Sequence, residues 1–286
     1  MSFSNWEDLF KYLSSPVSRH NPRSNDYAQL KQEVRCEVEK QFAEVKPEGI
    51  EFGPFGKLVF PYFRMGNIDS LNLFDLDELI IFCFYHANRN RYRHVLDIGA
   101  NIGLHSIIMS KCGYEVRTYE PDPTHFEVLQ KNLLLNGSEN VEPHNEAVSS
   151  QSGEMEFVRV LGNTTGSHLA GSKPNPYGEL ERFPVKVEAF GPLIDWADLI
   201  KLDVEGHEKI VLLSTNREQW LRTDALVEIE NESNAAAVYE HFQNLGINLF
   251  SQKTDWQLVR TPNDMPAGYR EGTLFISAKN KMPWED

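Results

Sequence analysis

Residues 95–120 limit this chain to one broad class of fold. The segment opens with an apolar run, Val95-Leu96-Asp97-Ile98, and turns through Gly99-Ala100-Asn101-Ile102-Gly103. A helical pattern follows, and a second run, Val116-Arg117-Thr118-Tyr119, closes on Glu120. Strand, glycine turn, helix and strand in that order predict two parallel strands joined by a crossover helix. A nucleoside cofactor suits the carboxyl ends of such strands. Glycines let the backbone come close to a ligand, and the helix N-terminus presents N–H groups to a carboxylate or phosphate. Glu120, ending the second strand, is placed to accept hydrogen bonds from both ribose hydroxyls.

Glycine spacing separates two cofactor classes. A dinucleotide fingerprint starting at Gly99 needs glycine at 101 and 104, where this chain has Asn101 and Leu104. Asp97-x-Gly99-x-Asn101-x-Gly103 resembles instead the D-x-G-x-G-x-G loop of class I S-adenosylmethionine-dependent methyltransferases, with asparagine at the middle glycine. S-adenosylmethionine has an ammonium that Asp97 can meet and a carboxylate for the loop amides, and it lacks a pyrophosphate that would need the third glycine. A tight strand-to-helix turn without a ligand is the plainer reading of the same residues.

A second cluster narrows the family. Leu199-Ile200-Lys201-Leu202-Asp203-Val204-Glu205-Gly206-His207-Glu208 is another buried strand ending in acids before a turn into a helix. With Leu96-Asp97-Ile98-Gly99-Ala100-Asn101-Ile102-Gly103 and Glu120-Pro121, it makes the chain from about residue 90 onward resemble the FkbM family of methyltransferases. Asn145-Glu146-Ala147-Val148-Ser149 and Glu228-Ile229-Glu230 add to the match. The resemblance implies a Rossmann-like enzyme that O-methylates sugars or other small secondary metabolites.

The order of elements agrees. Trp6, Leu9, Phe10 and Leu13 fall on one helix face, and Leu30, Val34, Val38 and Phe42 mark a second helix ending before Pro47. Gly53-Pro54-Phe55-Gly56 reads as a turn between short strands, and 75–86 as a helix with acids in its first turn. Strands are expected at 95–98, 115–119, 141–147, 155–160, 185–189, 199–203, 225–230, 249–252 and 274–278, with helices at 104–112, 123–136 and 235–245. Glycine, proline and asparagine mark 161–184 as a long loop. The expected fold is α/β: a Rossmann-like, doubly wound, mostly parallel seven-stranded sheet over residues 91–286. Residues 1–90 form an N-terminal helical and β-hairpin extension, a cap that shapes the acceptor pocket or pairs with another subunit.

Composition excludes other classes. A net charge of −14 with no Lys/Arg run argues against a nucleic-acid substrate. The N-terminus has neither a basic region nor a long apolar core, so no signal peptide is expected. The longest apolar run, 79–85, is too short to span a bilayer. Cys36, Cys83 and Cys112, widely and irregularly spaced, read as reduced thiols in a cytoplasmic protein.

Candidate chemistry gathers where the strands end. For the cofactor these are Asp97, Gly99, Ala100, Asn101, Gly103, Glu120, Pro121, Asp203, and the Glu146-Ala147 segment where class I enzymes usually contact adenine. A sugar hydroxyl benefits from a base or a metal. Asp203, Glu205 and His207 follow the fourth strand, and Lys201 faces the same side as Asp203. Glu228 and Glu230 converge from the next strand, so Asp203 and Glu230 are candidate ligands for a divalent cation. Equally, these acids serve to cap helices or pair with Lys201 and Lys209. The loop Gly162-Asn163-Thr164-Thr165-Gly166-Ser167-His168 matches a family loop facing the acceptor, and His168 is a second candidate base. Asn175-Pro176-Tyr177 resembles part of the N-P-P-Y element of amino-methyltransferases, but it precedes the fourth strand and reads as a turn.

The residues and the resemblance together imply an S-adenosylmethionine-dependent O-methyltransferase acting on a small hydroxylated acceptor, a sugar first. Its rivals are an NAD-dependent nucleotide-sugar oxidoreductase or epimerase and a non-catalytic cofactor-binding subunit.

Overall fold

A computed structural model describes residues 5–14, 17–42, 48–268 and 270–284. Helix α1 (Trp6–Leu13) starts at Asn5, whose side chain accepts the Asp8 amide, and buries Trp6, Leu9, Phe10 and Leu13. Helix α2 (Asn25–Phe42) buries Leu30, Val34, Val38 and Phe42; residues 43–47, leading to the expected stop at Pro47, lie outside the described residues. Two short hairpins follow, Ile50–Glu51 with Lys57–Leu58 and Arg64–Met65 with Ile68–Asp69. Helix α3 (Leu76–Ala87) is capped by Asp75, with Asp77 and Glu78 in its first turn. Its apolar run is buried on all sides because it lies among α1, α2 and the sheet.

From there strand and helix alternate: β1 (His94–Ile98), α4 (Leu104–Lys111), β2 (Glu115–Tyr119), α5 (Pro123–Leu135) and β3 (Val141–His144). Next come β4 (Ala147–Ser149), β5 (Gly153–Val160), β6 (His168–Leu169) and β7 (Leu180–Ala189). The chain continues through α6 (Phe190–Trp196), β8 (Leu199–Leu202), α7 (Glu208–Leu212), α8 (Arg217–Trp220), β9 (Asp224–Val227) and α9 (Glu232–Leu245). It ends with β10 (Asn248–Ser251), β11 (Gln257–Leu258) and β12 (Leu274–Ser277). The main sheet runs β11-β10-β12-β9-β8-β1-β2-β3, parallel from β9 to β3 and antiparallel beyond. It is the expected α/β sheet with an added two-residue strand, β11, at one edge.

Strand alternation divides the core between the two faces. Val95, Val116, Leu199 and Leu226 pack with the N-terminal helices and α4. Leu96, Ile98, Ile200, Leu202 and Val227 pack with α6, α8 and α9. Among the described residues no helix is long and apolar enough to cross a membrane.

Two expectations change. The predicted third strand divides at Asn145-Glu146: β3 stays in the main sheet, while β4 joins a second sheet of order β6-β5-β7-β4. Asn145 marks the crossing, its side-chain amide donating to the carbonyls of Glu120 (2.8 Å) and Pro121 (3.2 Å). The stretch 161–184 is not all loop, since Leu180 to Pro184 pair antiparallel with Val160 to Glu156. An antiparallel strand with one exposed face carries polar residues and an edge proline, so its apolar signal is weak.

Candidate active site

Parallel pairing decides which residues meet at the carboxyl edge. Tyr119, Ile98, Leu202 and Val227 stand opposite one another across β2, β1, β8 and β9. The next residue of each strand, Glu120, Gly99, Asp203 and Glu228, forms a row along that edge. Amide bonds from Gly99 to Tyr119, from Asp203 to Ile98 and from Glu228 to Leu202, each 3.0 Å, hold the row. All four residues line a cavity of about 590 Å³.

Gly99 has φ of +79°, and a Cβ there would sit 1.7 Å from the Asp203 carbonyl oxygen, so no larger residue fits. The buried Glu120 carboxylate accepts the amides of Asn101 and Asp122, each at 2.8 Å, and burial pushes its pKa up to about 8. Pro121, Tyr119, Glu146, Ala147 and Val148 continue this wall. Asn101 has φ of +53°, lines the cavity, and holds a buried Oδ1 with no hydrogen-bond partner.

The loop departs from expectation in its amides. Gly99 and Ala100 donate to the Tyr119 carbonyl (3.0 and 3.1 Å), and Gly103 donates to Ala100 (2.9 Å). These groups are engaged within the protein, and neither Ala100 nor Gly103 lines the cavity. Asp97 does not reach the cavity either. It is fully buried, its Oδ2 accepts the Ser106 hydroxyl at 2.5 Å, and its Oδ1 lacks a partner, with Lys201 Nζ 4.0 Å away. Lys201 lies beneath the floor, donating to the Gly99 carbonyl (3.2 Å) and to Asp203 (3.3 Å). Burial opposes its charge, but Asp203, Asp97 and Glu78 raise its pKa and keep it an ammonium.

On the far side, Lys173 stands between two of the predicted acids, 2.5 Å from Glu205 and 3.0 Å from Glu230. Its ammonium pairs with both, and among the described residues neither Asp203 nor Glu230 belongs to a group of three or more donors close enough together to hold a metal ion. Among the described residues, the donors grouped within 4.8 Å of one another are His144, Glu146 and Glu188 instead. Glu205 has φ of +52°, and burial together with the Asp203 charge pushes its carboxyl up to about 8. Non-glycine residues held at positive φ often mark functional positions.

His168 lines the cavity; its Nδ1 meets the Gly166 carbonyl at 3.0 Å, and burial lowers its pKa. His207 does not line the cavity. Its Nε2 meets Ser149 Oγ (2.8 Å), its Nδ1 meets Ser172 Oγ (2.9 Å), and burial brings its pKa down to about 4. With both nitrogens engaged away from the cavity, it ties β4 to the start of α7.

Sequence reasoning missed Lys173, Tyr177 and the acids Asp75, Asp77 and Glu78, all at the cavity wall. Glu78 meets His105 Nε2 (2.8 Å), whose Nδ1 meets the Tyr85 hydroxyl (3.0 Å). The acids of α3 were visible only as a helix start, and no spacing links Lys173 to residues 205 or 230.

The profile of the methyltransferase FkbM domain matches residues 97–247. Methyltransferase sdnD of Sordaria araneosa is 26% identical over 209 residues, covering 61% of this chain and 81% of that protein. Methyltransferase 1 of Beauveria bassiana (strain ARSEF 2860) is 23% identical over 186 residues, 57% of this chain and 75% of its own. A solved precorrin-6y C5,15-methyltransferase from Geobacter metallireducens GS-15 aligns with a TM-score of 0.36 and 13% identity, over 67% of this chain and 82% of that one. With its profile running from Asp97 before the glycine turn to Ile247 after α9, more than half of the sequence, this chain belongs to the FkbM family of methyltransferases.

Proposed function

We propose that the cavity holds S-adenosylmethionine and that the protein methylates a hydroxyl of a small acceptor, a sugar first. The observation that carries this reading is the row Glu120, Gly99, Asp203 and Glu228 along one sheet edge. The residues fit that molecule: Glu120 is a buried carboxylate for ribose hydroxyls, Gly99 leaves room no side chain permits, and Asn101 Oδ1 is an acceptor without a donor.

S-adenosylmethionine, when bound, supplies an electrophilic methyl group. The protein's part is to orient the acceptor oxygen and take its proton. Asp203 and Glu205 are the carboxylates at the strand end for that proton, with Lys201 and Lys173 holding their positions. Asn163, Thr164, Thr165, Ser167 and His168 give the opposite wall the hydroxyl, amide and imidazole groups that suit a polyol. Residues 1–90 act as a cap on the acceptor side through Asp75, Asp77 and Glu78. Three free cysteines support a reducing, cytoplasmic setting.

Incubation with methyl-labelled S-adenosylmethionine and a panel of free sugars, glycosides, amines and thiols tests the reaction. Label in an ether O-methyl carbon supports the reading. Label on nitrogen or sulfur acceptors alone overturns it.

A further inference from the structure

Positive charge is short at one end of the cavity. Glu205 and Glu230 share Lys173, and Glu78 faces His105. Beneath the floor, one ammonium, Lys201, serves Asp97, Asp203, Glu78 and Glu228 together. Glu228 is the carboxyl left over: it lines the cavity, accepts no hydrogen bond and joins no ion pair among the described residues. One further atom on the cavity wall lacks a partner, the buried Oδ1 of Asn101. An acceptor without a partner calls for a donor or a cation.

The row along the sheet edge says where that cation sits. Neighbouring strands are about 4.8 Å apart. With the base at Glu146 and Ala147 and the ribose at Glu120, as read above, the exocyclic carbon of the ribose and the atom bonded to it would lie on the side of Gly99 and Asp203, the strand next to Glu228. In S-adenosylmethionine that atom is the sulfonium. On transfer the acceptor oxygen gains the methyl and gives up its proton, while sulfur keeps the bonding pair and loses its charge.

We propose that Glu228, beside Asp203, reads the charge on the donor, so that the site holds the sulfonium in preference to the neutral thioether left after transfer. This rests on the S-adenosylmethionine reading above and assigns Glu228 as the residue that separates donor from product. The surroundings agree. Burial, with Asp203 and Glu78, raises the Glu228 carboxyl well above its usual range, against the opposing pull of Lys201 and with Glu205 adding to it. A bound sulfonium opposes that rise and favours the charged carboxylate. Binding of the donor therefore tightens as pH rises and releases a proton.

Calorimetry on the full chain tests this with three probes: S-adenosylmethionine, S-adenosylhomocysteine, and sinefungin, which carries an amine-bearing carbon in place of the sulfonium. The expected result is about tenfold tighter binding of the two cations than of the thioether. Heats of the cationic probes should vary with buffer ionisation enthalpy. In Glu228→Gln the gap should shrink to about twofold, with thioether binding kept as the control for folding. Thioether binding as tight as the donor's in the unaltered protein overturns the proposal, whatever the variant does. A gap that survives in Glu228→Gln overturns the assignment to Glu228. Failure of all three probes to bind overturns the donor reading itself, and this inference with it.

Discussion

The two ends of the cavity are built by different means. Around Glu120 the wall comes mainly from residues 99–122, with Glu146 to Val148 beside them, and backbone amides hold it: Gly99 and Ala100 to Tyr119, Asn101 and Asp122 to the Glu120 carboxylate. Around Glu205 it comes from segments far apart in sequence (75–78, 163–169, 173, 203–205 and 228–230), joined by charge pairs between side chains. The first end is defined by shape and should fail when shape is changed. The second is defined by charge, and single substitutions should shift its titration while the fold survives.

The largest effect expected is at Gly99. Gly99→Ala drives a methyl group into the Asp203 carbonyl at positive φ, which should cost more than about 3 kcal/mol in urea unfolding. An unfolding midpoint unchanged by this variant would break the claim that shape governs this end. Next, Glu120→Gln should weaken S-adenosylmethionine binding roughly 100-fold, since the paired oxygens that accept two hydroxyls are lost. Its unfolding midpoint should move little, and calorimetry beside a denaturant melt separates the two readouts.

At the charged end, Lys173→Met leaves Glu205 and Glu230 without their shared cation. The Glu205 carboxyl, already pushed up to about 8, should rise further and move the acid limb of the turnover profile to higher pH. Turnover at neutral pH should fall about tenfold with donor binding within about threefold. Loss of donor binding instead would mean that the two ends are not separable.

His207→Asn should do least to the reaction, leaving turnover within about twofold, because the imidazole serves two serines away from the cavity. Its signature is in stability. The folded pKa of about 4 lies below the ordinary value of 6.5, so the unfolded chain binds more protons between those values. His207 therefore contributes stability that is full above the ordinary value and lost as pH falls towards the folded one. The variant should lose stability less steeply across that window, as denaturant midpoints at several pH values would show.

The same division explains what could be read in advance. The glycine turn, Glu120 and the buried strands lie in contiguous runs whose spacing reports their geometry, so the parallel sheet and its carboxyl edge were legible. The separation of β4 to β7 into a second sheet was not, because β7 is exposed on one face and contains Pro184. Lys173 and Glu78 reach the cavity wall only through the tertiary fold, and a carboxylate at a helix start looks the same whether or not a cavity faces it. His207 was read as a base from its place after Asp203; Ser149 and Ser172, distant in sequence, engage its ring away from the cavity. Asp97 matched the loop pattern and yet lies under the floor, bonded to Ser106.

One titration tests the central claim most directly: S-adenosylmethionine against the purified chain and against Glu120→Gln, with NAD as the control. One-to-one binding to the unaltered chain, sharply weakened in the variant and with no heat from NAD, is the expected result. Binding of NAD, or equal binding of S-adenosylmethionine by both chains, would contradict it.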